Sequence, residues 1–478
     1  METYKIYFSG NFCTTDKQLI VKNPFSGKEI AKTFLAGREE LEQAIDTALS
    51  IERQMASLPS YVRYEALRFI ADSILKKKEH FAHIIASEAA KPYRYALGEV
   101  LRAIQTFNIA AEEAKRLPKE YISLDWTKPG HGKEGLVKYF PIGLVAGISP
   151  FNFPLNLAVH KIAPAIAVGN PIILKPSRHT PLSTLELAKI IHKTDLPKGA
   201  VSIMPTDREI GNMLVLDKRI KMLSFTGSPA VGWKMKQIVP PNKRVLLELG
   251  GNAGVIVSDS ADLKLALDKI IIGSYAYSGQ VCIHTQRIFV HQKIFDQFIS
   301  ELIERTKKLK KGDPTEPDTE ISSMIEEREA MRVEQWVDEA VEQGAKILFG
   351  GKRELAYFQP TIMTNTKKNM KVWALEIFGP VVLVEPFETF EQAVEMINDS
   401  EYGLQAGVFT ENYREMSYAF NNIEVGGVII NDVSTFRVDH MPYGGVKNSG
   451  FGREGIKYSI REQMEPRLLV MPNYNELY

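Results

Sequence analysis

The sequence predicts a multi-domain α/β protein organised around a doubly wound, largely parallel sheet, and three observations predict it. Length is the first: 478 residues correspond to about three domains at ~150 residues each. The second is rhythm. From about residue 136, short apolar runs alternate with helical stretches, as in a chain that lays down strand, helix, strand. The third is the lack of self-similarity at any period of roughly 20–50 residues, which argues against a solenoid or propeller.

The elements follow in order. Leu41, Ile45, Ala48, Ile51 and Met55 recur near helical spacing and predict a helix over 41–58; Ala66, Phe69, Ile70 and Ile74 predict another over 62–75. Lys76, Lys77 and Lys78 read as a solvated helix C-terminus, where cations suit the dipole, rather than as an anion patch. A further helix is expected over 99–117, ended by Pro118. Then come apolar runs at 144–148, 172–174, 201–204, 222–225 and 245–249, with helices after Pro154 and from Ser183. A second α/β rhythm runs from Asn252 to about Asn431, and the polar segment 311–318 is a surface loop within it. The tail, 463–478, is apolar at Leu468, Leu469 and Val470. Fraying and pairing with a neighbouring subunit both suit such a tail.

Composition excludes several functions. Lys and Arg number 59 against 58 Asp and Glu, a net charge of +1, so no global field draws nucleic acid or an acidic membrane. The longest weakly charged stretch, 144–174, is broken by Pro150, Asn152, His160, Lys161 and Asn170 and cannot span a bilayer. The N-terminus lacks the apolar core of a secretory signal. Two cysteines make no disulfide framework and suit a reducing compartment. Nine histidines show no HExxH or paired spacing, so no metal is expected. The expectation is a soluble, cytoplasmic protein.

A few residues carry candidate chemistry. Cys282 sits in SGQVCIHTQRIFV, after Gly279 and Gln280 and before a β-type run, where a thiol held on a rigid framework has free backbone N–H groups nearby for an oxyanion. Cys13, in a polar stretch, reads as incidental. Glu248, in LLELGGN, is either a strand-end carboxylate or a general base made mobile by Gly250 and Gly251. Asn152, in SPFNFPLN, either caps the next helix or points its amide at an oxyanion. Lys175 ends a strand, where it is solvated or meets a ribose or phosphate. FTGSPAVG, 225–232, is a strand-to-helix turn that suits phosphate but lacks full GxGxxG spacing.

PFNFP, ILKPS, FTGS, LELGGN, GQVC, EIFGPV and PYGGVKNSGFGRE occur in that order between Pro150 and Glu454. Together they resemble the aldehyde dehydrogenase superfamily over nearly the whole chain, nearest its lactaldehyde, phosphonoacetaldehyde and non-phosphorylating glyceraldehyde-3-phosphate branches. The resemblance implies a Rossmann-type cofactor domain, an α/β catalytic domain and a small β oligomerisation element. It implies Cys282 as nucleophile, Asn152 and the Cys282 N–H as oxyanion donors, and Glu248 as the base that activates water. It assigns cofactor contacts to Ile148, Ser149, Pro150, Phe151, Lys175, Ser177, Arg178, Gly211, Phe225, Thr226, Gly227, Ser228, Leu249, Gly250, Glu376 and Phe378. Three residues after Lys175, where many NAD-using members carry Glu, this chain has Arg178, which suits the 2′-phosphate of NADP. NAD or NADP is therefore expected, with NADP favoured.

For the substrate, Arg102, Phe153, His160 and Arg437 fall where relatives line the aldehyde tunnel, which favours a small polar or anionic aldehyde. A surface or interdomain salt bridge is the competing reading of both arginines. Val281 stands where some acid-aldehyde specialists carry an arginine. Two other functions compete: a CoA-acylating semialdehyde dehydrogenase, disfavoured by Glu248, and a non-catalytic structural member, disfavoured by the joint presence of Cys282, Glu248 and Asn152. The expected division is a cofactor domain over 1–119 and 142–249, a catalytic domain over 250–455, and an oligomerisation element from 120–141 and 456–478. A homodimer or homotetramer is expected, its tail completing a sheet across the interface.

Overall fold

Residues 1–473 are described by the structure, a computed structural model. Five parallel strands form the first sheet's heart, in spatial order Arg244–Glu248, Met222–Thr226, Val145–Ile148, Ile172–Lys175 and Val201–Ile203. Helices cover both faces of such a sheet, so its strands are apolar runs without polar alternation; all of Val145–Ile148 and Val201–Ile203 is buried. Antiparallel strands close the edges: Gly450–Phe451 at one side, Ile6–Phe8 and Asn11–Cys13 at the other. From Val145–Ile148 the chain builds two strands to one side, then returns to place Met222–Thr226 and Arg244–Glu248 on the other. That reversal opens a crevice at the strands' carboxyl ends.

The second sheet has seven strands, in the order Lys346–Phe349, Thr361–Thr364, Val381–Phe387, Arg287–His291, Gly254–Val257, Gln405–Phe409 and Gly427–Ile430. All pairings except that of Lys346–Phe349 are parallel. Residues 249–253 leave the first sheet at its carboxyl edge and enter the second at its amino edge, so the crevice lies between the two. The buried Arg287 fastens this junction, donating to the carbonyls of Asn252 (2.8 Å), Met396 (3.0 Å) and Ile397 (3.1 Å). Burial brings its guanidinium down to about 10.

A third, antiparallel sheet joins Lys119–Ser123, Lys133–Pro141 and Met464–Pro472. The tail strand runs in continuous register with the hairpin of its own chain, from Met464 opposite Pro141 to Pro472 opposite Lys133. Residues 474–478 of the expected tail lie outside the described residues.

Several elements differ from expectation, and the helix expected over 41–58 is two, Arg38–Ser50 and Glu52–Ser57. The helix expected over 99–117 is Tyr93–Ala114, starting directly after Pro92. Lys78 starts a helix, Lys78–Ala89, instead of trailing the one before. Phe81, Ile85 and Ala86 are buried beneath it, but the charge run masked their periodicity. The segment Gly450–Phe451 joins the first sheet, opposite Leu247 and Glu248, and the helix Ile456–Glu462 packs on Tyr93–Ala114 and Asn156–Val168. Residues 450–462 thus lie with the first lobe.

Candidate active site

The loop after Val145–Ile148 carries Asn152 and leads into Asn156–Val168, a helix buried at every residue. Its end is capped from a distance. Oε1 of buried Glu99 accepts the N–H groups of Leu155 (2.9 Å) and Asn156 (3.1 Å), an acid at the positive end of the dipole. Oε2 of Glu99 accepts from Lys91 Nζ at 2.5 Å, and that ammonium sits 3.6 Å from the Phe153 ring centroid. Glu99 therefore does the capping that Asn152 was a candidate for. The Asn152 amide, 4% exposed, donates one N–H to Gln280 O at 3.0 Å, and its second N–H is unengaged.

Cys282 follows a tight left-handed run: Tyr277, Ser278 and Gly279 have φ of 51°, 53° and 70°. A Cβ at Gly279 would lie 2.1 Å from Gly379 O, so only glycine fits there. The run is tied down by Tyr277 Oη on Ala89 O (3.0 Å), Ser278 Oγ on Ser322 O (2.7 Å), and Gln280 Oε1, which accepts from Ile325 N (2.9 Å). The Cys282 N–H donates to no acceptor among the described residues. Its Sγ lies 3.1 Å from Tyr443 Oη. Burial pushes the thiol up to about 11, against the opposing hydrogen bond from Tyr443.

Glu248 ends its strand 2% exposed, and neither carboxyl oxygen has a hydrogen-bond partner among the described residues. Burial first, and the neighbouring Glu454 second, push it well above the usual carboxylate range. A network of fixed charges surrounds it. Lys161 Nζ donates to Thr226 Oγ1 (2.7 Å) and Glu454 Oε1 (3.2 Å). Arg437 pairs with Glu454 at 3.3 Å and stacks 3.6 Å from the Tyr443 centroid, with its buried Nε lacking an acceptor.

A cavity of ≈ 450 Å³ reaches Cys282 through the crevice, and Pro150, Phe151, Asn152, Thr226, Gly227, Ser228, Leu249, Gly250, Glu376 and Phe378 line it. It has the attributes of a dinucleotide cradle. The helix Pro229–Ile238 opens on it with no side chain capping its N-terminus, leaving N–H groups for a phosphate. A Cβ at Gly250 would lie 2.0 Å from Glu376 Oε2. The Glu376 carboxyl, which accepts from Gly251 N at 3.1 Å, is raised to about 8 by burial. Phe378 (φ 49°) packs edge-on against Phe151.

The remaining expected cofactor residues lie nearby in different settings. Ile148, Ser149 and Phe225 are buried, and Ser177 Oγ accepts from His179 N. A Cβ at Gly211 would meet Lys175 Cε at 2.9 Å. Lys175 is brought down to about 8 by burial first and Arg178 second. Arg178 itself lines an adjoining ≈ 360 Å³ cavity.

The expected substrate residues fall into two groups. Phe153 packs with Cys282, Tyr443, Val281, Ile283 and Leu404. Arg102 and His160 instead converge on Asp439: Arg102 Nη2 at 2.7 Å and Nε at 3.2 Å, His160 Nε2 at 2.8 Å. These bonds outweigh burial and hold Asp439 well below its usual range, so Arg102 is already spent on an internal carboxylate. Sequence reasoning missed Tyr443, whose motif read only as a glycine-rich loop. It also missed Arg328 and Arg332, which enter the cavity from the helix Glu327–Glu342. Among the described residues no His, Cys, Asp or Glu cluster suits a metal, and no helix is long and apolar enough to cross a membrane.

A doubly wound crevice that ends on a half-buried thiol is the layout of a dinucleotide-dependent oxidoreductase. The family model for aldehyde dehydrogenases matches residues 12–469, and the chain belongs to that family. It is 42% identical over 472 residues to 3-sulfolactaldehyde dehydrogenase of Priestia aryabhattai, covering 98% of each chain. The structure of aldehyde dehydrogenase 21 from Physcomitrella patens, in complex with the reaction product succinate, matches with a TM-score of 0.97 at 43% identity, covering 99% of this chain and 98% of that one. Glyceraldehyde-3-phosphate dehydrogenase from Methanocaldococcus jannaschii, complexed with NADP, matches with a TM-score of 0.92 at 39% identity, covering 96% and 100%.

Proposed function

We propose that the protein oxidises small anionic aldehydes to carboxylic acids with NAD(P)+, NADP being favoured, through a covalent adduct on Cys282. The observation that carries this reading is the pair of unengaged donors, the Cys282 N–H and the second Asn152 N–H, beside a thiol at the end of a dinucleotide-sized cavity.

The Cys282 thiol first gives up its proton, which its burial resists, and an ionised Glu248, whose charge acts on the thiol, takes it. The thiolate adds to the aldehyde carbon, and the carbonyl oxygen becomes an oxyanion between the two free N–H groups. The Gln280 carbonyl fixes the Asn152 amide plane, so its second donor is aimed before charge develops. The residues lining the cavity, among them Phe151, Ser228, Glu376 and Phe378, would hold a nicotinamide dinucleotide, which would supply the hydride acceptor for the C–H bond of that adduct. What remains on Cys282 is a thioester. Glu248, when ionised, takes a proton from water; the oxygen bonds to the acyl carbon, the C–S bond breaks, and the acid leaves.

NADP preference rests on Lys175 and Arg178, two cations that repel each other at one corner of the crevice; a 2′-phosphate would relieve that repulsion. Preference for an anion rests on Arg437, a buried guanidinium stacked on the tyrosine that touches the thiol, whose Nη2 meets Glu454 but whose Nε has no acceptor among the described residues. The relatives named above act on a sulfonated aldehyde, hold succinate, or take a phosphorylated aldehyde. The same reading keeps the protein cytoplasmic, without nucleic-acid or membrane partners. It also makes the protein a homodimer or homotetramer, because Leu468, Leu469 and Val470 stand about half exposed on the small sheet. Steady-state assay of succinic semialdehyde, glyceraldehyde 3-phosphate and propanal with both cofactors tests it. The expected kcat/KM for the two anions with NADP is at least about tenfold above that for propanal; equal values would refute the substrate assignment.

A further inference from the structure

A second cavity, ≈ 830 Å³ and sharing no lining residue with the nucleotide crevice, lies where the small sheet meets the helices of the first lobe. Arg63, Lys115, Arg116, Lys119 and Lys138 line it, and among the described residues no carboxylate does. We propose that it is an anion site for a small, multiply charged phosphate compound.

Three independent features support this. The first is a ladder of like charges. Lys119 lies directly opposite Lys138, and Lys138 directly opposite Arg467, so three cations stand in one row across the sheet. Like charges in directly opposed positions destabilise a sheet. Neither Lys119 nor Lys138 forms an ion pair among the described residues; Lys115 and Arg116 have Glu112 and Glu113 on their own helix. Lys138 and Arg467 meet the Phe140 ring, 5.1 and 4.3 Å from its centroid, which softens but does not neutralise the row; an anion between the side chains would.

The second feature is Arg63, a lining residue only 7% exposed. One guanidinium N–H donates to Ala167 O at 2.9 Å, but the buried Nε has no acceptor, and burial lowers this group's pKa. A buried, underused cation is costly unless a counter-charge reaches it. The third is the helix Ser60–Leu75, whose first residue also lines the cavity. Its N-terminus has no side-chain cap and no acid in its first turn, so its positive end faces a cavity that already holds five cations. Donors and charge of this kind converge on phosphate oxygens.

The site sits at the far end of the helix that begins beside Asn152. Leu157 lines the nucleotide cavity and Val168 this one, about 16 Å apart along the helix axis. Occupancy here is therefore separable from cofactor binding.

Calorimetric titration of pyrophosphate into the full-length enzyme saturated with NADP tests the proposal, because the nucleotide crevice is then filled. Expected is one site per chain with a submillimolar Kd that weakens as salt rises. In the double variant Lys119→Gln/Lys138→Gln, whose side chains are exposed, Kd weakens at least about tenfold. The variant's circular dichroism and kcat with NADP stay as in wild type. Arg63→Gln, the buried partner, weakens binding further where it folds. Pyrophosphate that fails to bind the NADP-saturated enzyme, or binds the double variant with unchanged Kd, overturns the proposal. So does wild-type enzyme that binds none while the double variant loses its oligomeric state, since the cations would then serve a contact between copies of the chain.

Discussion

Replacing Asn152 by Ala removes one of the two free N–H donors beside Cys282 and leaves the other in place. The amide is 4% exposed and held at 3.0 Å by Gln280 O, so no water occupies its role without entering a packed site. Loss of one oriented oxyanion donor costs about 10²–10³ in kcat, or ~2.7–4 kcal/mol. Truncation also strips the Gln280 carbonyl of its donor, which costs about 1–3 kcal/mol of stability. The loop itself stays put, because Glu99 and not Asn152 caps the following helix. Stopped-flow measurement of NADPH formation at saturating succinic semialdehyde reads the chemical step, and quenching of protein fluorescence reads NADP affinity. The expected result is a 100- to 1000-fold slower step, on the order given above, with NADP affinity unchanged within about twofold. A step slowed by less than about threefold would refute the oxyanion geometry.

Other outcomes follow from the same structure. Arg178→Glu lowers kcat/KM with NADP by about tenfold or more and spares NAD, measured by parallel initial rates; full retention of NADP efficiency removes the assignment. Activity rises with pH from neutral to alkaline, since burial raises both the Cys282 thiol, to about 11, and the Glu248 carboxyl; a flat profile for kcat/KM contradicts this. Glu248 is an acid raised in the fold, so its stabilising contribution is present at low pH and is lost as pH rises through the raised value. Thermal melts of Glu248→Gln therefore gain more over wild type at pH 8 than at pH 5, and equal gains at both would count against it. Glu99→Ala uncaps the Asn156–Val168 helix and strands Lys91 as a buried, unpaired charge, a loss of about 3–5 kcal/mol seen in chemical denaturation; a loss below about 1 kcal/mol means the pair is dispensable.

The strands and most helices were legible because they are local. Runs such as Val145–Ile148 and Val201–Ile203 are apolar throughout and so declare strands covered on both faces. Cys282, Asn152 and Glu248 stood out as candidates because each sits at a strand or turn boundary marked by Gly or Pro. What escaped is non-local. Nothing near Asn152 says that Glu99, more than fifty residues earlier, caps its helix, or that Gln280 orients its amide. Tyr443 read as a loop residue because its role depends on stacking under Arg437 and on reaching Cys282 from 161 residues away. Arg102 illustrates the converse: its type and helix position suit an anionic substrate, but Asp439, far along the chain, takes its charge. The lysines at 76–78 hid a helix start because charge runs carry no periodicity.

The central claim is covalent oxidation on Cys282. Mass spectrometry of the Glu248→Gln enzyme, quenched after mixing with NADP and succinic semialdehyde, tests it most directly. The account predicts a burst of one NADPH per active site and an acyl group in thioester linkage on the peptide bearing Cys282, with neither in Cys282→Ser. NADPH formation that persists in Cys282→Ser, or an acyl group carried by any other residue, would contradict it.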